Sequence, residues 1–147
     1  MDNARAIGQA FMATLVVFVV MDAAWLTLVA LKMFQSQLGT ILRPEPMLGA
    51  AVVFYLIYTF GLVALAVRPA VAARSMAVAA TKGAVLGLTA YATFDLTNLA
   101  VIKVWTIELA AIDIAWGVVV STIASMAGCA AGLRATTSVL TSSEVRE

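Results

Sequence analysis

Along the chain, apolar residues gather into four long blocks separated by short polar punctuation. A membrane-spanning helix needs about 20 mostly apolar residues, and four stretches supply them: about Ala10 to Leu31, Met47 to Val67, Val78 to Ile102 and Leu109 to Leu133. Pro46 stands where the first turn of a helix tolerates proline, and Arg68-Pro69 reads as a stop. The first block is too long, and too interrupted by Asp22 and Trp25, to be a cleavable signal peptide. The pattern predicts an all-α integral membrane protein, with four transmembrane helices in one antiparallel bundle over residues 1–133. The remaining residues 134–147, ATTSVLTSSEVRE and the arginine before it, are rich in serine and threonine and are expected to form a disordered cytoplasmic tail.

The connections set the topology. MFQSQLGTILRPEP, Met33 to Pro46, is long enough for Met33, Phe34, Leu38, Ile41 and Leu42 to lie on the bilayer surface as a short amphipathic turn, or to form a plain loop. KVWTIE, Lys103 to Glu108, is so short that the third and fourth helices must be antiparallel neighbours, with Trp105 in the interfacial aromatic belt. Four crossings put both termini on one side. That side carries Arg5, Arg68, Arg74, Lys82, Arg134 and Arg146, against Lys32, Arg43 and Lys103 on the other, so the positive-inside rule places the termini in the cytoplasm. The imbalance also argues against dual topology.

Composition agrees and removes several chemistries. Of 147 residues, 63% are hydrophobic and 12% charged, about half the charged fraction of a soluble domain. A net charge of +1 offers no field for nucleic acid. Histidine is absent and Cys129 is the single cysteine, so the usual ligands of zinc, haem and iron–sulfur clusters are missing and no cofactor is expected. Cys129 reads as a packing residue. In lipid, helices associate through close approach and hydrogen bonds. Gly83 and Gly87 on the third helix, with Gly117, Ser121, Ser125, Gly128 and Gly132 on the fourth, mark the surfaces for a tight pair.

Polar groups within the blocks are the candidate chemistry. At a rise of about 1.5 Å per residue, Asp22 falls near the middle of the first helix, Asp95 just beyond the midpoint of the third, and Asp113 about one turn into the fourth. All three lie in the central or outer half of the bilayer, at a depth no lysine or arginine shares. Tyr91, Asp95 and Asn98 form one stripe on the third helix. Asp22-Ala-Ala-Trp25 and Asp113-Ile-Ala-Trp116 repeat one device, an aspartate with a tryptophan beside it on the helix surface. The second helix adds Tyr55 and Tyr58. A charged aspartate at a helix centre costs about 2.5 to 3.5 kcal/mol on insertion scales. With no basic partner at that depth, at least one of the three is expected to hold a proton.

Through MDAAWL (Met21 to Leu26), FYLIYTFGL (Phe54 to Leu62), GAVLGLTAYATFDLTNLA (Gly83 to Ala100) and DIAWG (Asp113 to Gly117), the chain resembles a bacterial inner-membrane family catalogued as domain of unknown function 2177. Phe94 stands where that family is expected to have tyrosine, and Thr106 where proline is expected to follow Trp105. The resemblance implies four helices and a multi-pass location in the bacterial inner membrane, and carries no activity with it.

Three functions suit these residues. The first is binding or transport of a small cation, a proton or a cationic amphiphile, in a pocket formed by Asp22, Trp25, Tyr55, Tyr91, Asp95, Asn98, Asp113 and Trp116. There the carboxylates supply charge and the rings supply cation–π walls. A homo-oligomer is then expected, because one short bundle cannot alternate access alone. The second is a membrane enzyme acting on a lipid or isoprenoid, with Asp95 and Asp113 as general acid and base and aspartate-held Mg²⁺ as a further option. The third is a structural or accessory subunit in which the acids are hydrogen-bonding groups between helices.

Overall fold

A computed structural model describes residues 2–144 and builds them from helices and short turns. Four helical runs are long and apolar enough to cross a membrane: Ala4–Leu38, Leu48–Ala72, Met76–Val101 and Ile107–Thr137. They are the first to fourth spans below. Large apolar side chains on their outer faces, such as Leu28, Ile57, Phe60 and Val101, are exposed, as expected of a surface that hydrocarbon covers.

Three boundaries differ from the sequence reading, each for a local reason. The first span does not end near Leu31. A π-helical turn at Leu26–Ala30 is closed by the Leu31 N–H on the Leu26 carbonyl, and an α-helix then continues over Leu31–Leu38. It stops at Gly39, whose φ of 51° suits glycine. Met33 to Leu38 is therefore helix, neither surface turn nor plain loop. The second span passes through Pro69 to Ala72 because a second π-helical turn, Val63–Val67, precedes it, so proline falls in the first turn of the following α segment, Arg68–Ala72. Finally, the fourth helix runs from Ile107 to Glu144. The expected disordered tail is helical over that part, and residues 145–147 lie outside the described residues. No glycine or proline interrupts Ala135 to Glu144, and the Thr136 and Thr137 hydroxyls donate to the carbonyls four residues back, which keeps these threonines compatible with the helix.

The turns are capped. Ser75 Oγ accepts from the Val78 N–H at the start of the third span. Thr106 Oγ1 accepts from the Leu109 N–H at the start of the fourth, so the residue standing where proline was expected serves as a cap.

Contacts fix the register. Phe18 meets Tyr58, and Asp22 meets Tyr55, so the second span runs antiparallel to the first. Thr14 lies against Gly128 and Asp22 against Trp116, so the fourth also runs antiparallel to the first. The fourth packs against the third through glycine and serine. A Cβ at Gly83 would sit 2.7 Å from the Ser121 carbonyl oxygen, one at Gly87 would strike the Gly117 carbonyl, and one at Gly117 would strike the Tyr91 ring. The expected tight pair is present. The second span meets the third mainly through Val63–Val67 and Arg68–Ala72, near the end of the bundle where the chain begins. Toward the opposite end the two separate, and the space between them holds the site.

Candidate functional site

Asp22 is buried on the first span and receives two hydrogen bonds from different helices. Tyr55 OH donates to Oδ2 at 2.8 Å, and Trp116 Nε1 donates to Oδ1 at 3.1 Å. Donors to both oxygens orient the carboxyl and tie the second and fourth spans to the first. The two Asp-x-x-Trp devices are paired crosswise by the antiparallel packing. Trp116 serves Asp22, while Trp25 lies within reach of Asp113, its buried Nε1 making no well-aligned hydrogen bond. Between them the Trp25 and Trp116 indoles stack, with centroids 4.7 Å apart and planes 6° from parallel.

Asp95 is fully buried behind this arrangement. Trp105 Nε1 donates to its Oδ1 at 3.3 Å, and the Asp113 carboxyl lies beside it. Trp105, expected in the interfacial belt, is packed into the protein and only 8% exposed. It is sealed in because the helical extension Leu31–Leu38 folds over the link between the third and fourth spans. Leu38, Leu109 and Ala110 surround the ring, Phe34 and Phe94 lie near it, and Gln37 bonds the Thr106 hydroxyl.

In front of the carboxyls lies a cavity of about 550 Å³. Asp22, Trp25, Leu26 and Phe34 of the first span line it, with Ala51, Phe54, Tyr55 and Tyr58 of the second. Ala90, Tyr91 and Phe94 of the third and Asp113 of the fourth complete the wall, which contains no basic side chain. Phe54 and Phe94, on the two diverging spans, are 42% and 55% exposed, so the cavity opens sideways between them toward the lipid-facing surface. Tyr58 closes its floor, bonded to Ser121 Oγ at 2.7 Å and edge-on to Tyr91.

The model of a family of predicted membrane proteins, DUF2177, matches residues 7–130. The chain belongs to this family. In this DUF2177 member the matched stretch contains Asp22, Tyr55, Tyr91, Asp95 and Asp113, and so the complete carboxyl cluster. No curated protein and no solved structure matches the chain.

Of the residues singled out by sequence, Asp22, Trp25, Tyr55, Tyr91 and Asp113 line the cavity of this DUF2177 chain. Asp95 and Trp116 stand behind it, Asp95 accepting from Trp105 and Trp116 donating to Asp22. Asn98 is not part of the wall. Phe34, Phe54, Phe94 and Trp105 were missed as site residues. Phe54 shares a helical stripe with Ala51 and Tyr58, a signal present in the spacing. Phe34 and Trp105 carried no comparable signal, because their positions depend on the path of the Leu31–Leu38 extension. Among the described residues no group of three or more Cys, Asp or Glu is placed to hold a metal ion.

Proposed function

We propose that this membrane protein binds an amphiphilic organic cation, with its head between Asp22 and Asp113 and its tail leaving through the gap between the second and third spans. One observation carries the reading: a lipid-accessible cavity of about 550 Å³ has carboxyls from two helices in a wall that is otherwise almost wholly aromatic or aliphatic and holds no lysine or arginine. That volume suits a ligand of modest size. Ring faces attract a cation more strongly where water is excluded, and Asp22, already held by Tyr55 and Trp116, is oriented before anything binds. If the bound cation crosses the membrane, a second copy of the chain would supply the other half of the path, and the bacterial inner membrane is the setting that the family resemblance suggests.

The enzyme reading draws on the neighbouring Asp95 and Asp113 carboxyls, but Asp95 is sealed beneath Trp105 and only Asp113 reaches the cavity. That arrangement favours binding over an acid–base pair flanking a substrate.

The test uses the full chain in lipid nanodiscs, titrated with dodecyltrimethylammonium and, as controls, with neutral and anionic amphiphiles of the same chain length. Saturable binding of the cation alone is expected, weakened about tenfold or more, equivalent to about 1.4 kcal/mol, in Asp22→Asn and Asp113→Asn. Equal binding of all three amphiphiles, or unchanged affinity in both variants, would overturn the proposal.

A further inference from the structure

Asp95 poses a separate problem. It is completely buried, its Oδ1 is held by Trp105, and its Oδ2 has no donor among the described residues. An ionised carboxylate with one oxygen unserved in a dry site is costly. The Asp113 carboxyl lies within hydrogen-bonding reach, and two carboxyls can bond each other only when one holds a proton. The groups around the pair are Asp22 from the first span, Tyr55 and Tyr58 from the second and Tyr91 from the third. None is a cation. Asp113 belongs both to this pair and to the cavity wall, so it joins the buried carboxyl to whatever occupies the cavity.

We propose that Asp95 and Asp113 share one exchangeable proton, and that a cation entering the cavity beside Asp113 expels it. This rests on the cation-binding reading and adds a coupled ion to it. The charge balance is simple. Empty, the pair holds one proton and carries one negative charge. When a monovalent cation binds beside Asp113, a carboxyl O–H bond breaks, the proton passes to water or buffer, and both carboxyls of the pair are then ionised. The net charge of the site stays the same. A cation beside Asp113 favours the ionised carboxyl over the protonated one, and that preference is what drives the proton out.

The experiment is calorimetric titration of the full chain in nanodiscs with dodecyltrimethylammonium, in two buffers of different ionisation enthalpy at one pH, repeated from mildly acidic to mildly alkaline conditions. The difference in heat between buffers counts protons. About one proton released per cation is expected where the empty pair is protonated. In Asp95→Asn, which retains an oxygen for Trp105, cation binding should release no proton. Infrared difference spectra of the intact chain give a second readout that needs no variant: a protonated-carboxyl band should disappear when the cation is added. Cation binding without proton release at any pH, with no such band lost, would overturn the shared proton and leave the binding site standing. No binding by the intact chain would overturn both.

Discussion

Tyr55→Phe removes one hydroxyl and leaves its ring in place, so it isolates the hydrogen bond to Asp22 Oδ2. The expected loss is about 1 kcal/mol in unfolding free energy, with weaker cation binding measured beside it; an unchanged denaturation midpoint would show that Asp22 does not depend on this donor. Trp105→Phe acts on the other carboxyl. It keeps most of the packing beneath Phe34 and Leu38 but removes the indole donor from Asp95 Oδ1, at an expected cost of about 1 to 3 kcal/mol. Denaturation in mild detergent would measure it, with the fluorescence of the remaining tryptophans as a check on folding. The two substitutions also show why legibility differed between residues. Asp22, Asp95 and Asp113 are conspicuous because each is expensive in an apolar helix. Trp105 was not, because a tryptophan in a short link reads equally well as an interfacial anchor, and only the fold of a distant segment buries it.

Pairs of helices are decided by small residues. Gly87→Ala places a methyl group on the Gly117 carbonyl and Gly117→Ala places one on the Tyr91 ring, so each should separate the third and fourth spans and destabilise the chain by about 1 to 3 kcal/mol. Gly49→Ala is the control, since nothing lies within 4 Å of its added carbon. Thermal unfolding of the three variants in one detergent would test the contrast, and equal melting temperatures would contradict the close packing. The glycine and serine spacing was readable because one helix face repeats by simple arithmetic. The π-helical turns at Leu26–Ala30 and Val63–Val67 were not, since LTLVA and VALAV contain nothing that distinguishes them from ordinary α-helix. Each shifts the register by about one residue, which is enough to carry the first span over the Trp105 link and to let the second continue through Pro69.

For the molecule as a whole, the antiparallel register returns the chain after four spans to the end where it began. With Cys129→Ala as background, Glu45→Cys and Val104→Cys should react with a membrane-impermeant maleimide from one side, and Ala73→Cys from the other. The six-to-three distribution of basic residues expects the Ala73 side to be cytoplasmic. Labelling of positions 45 and 104 from opposite sides would refute the fold, whereas a clean reversal would refute only the charge argument. The number of spans was legible because bilayer thickness imposes a length on each apolar block; the divergence of the second and third spans was not, since spacing along one helix says nothing of its distance from another. That divergence has a practical corollary. A guest that slips in sideways comes from the hydrocarbon phase, so occupancy should follow its mole fraction among the lipids. Diluting vesicles with water should then strip a weakly partitioning guest and barely disturb a strongly partitioning one, even where their heads fit the pocket equally well.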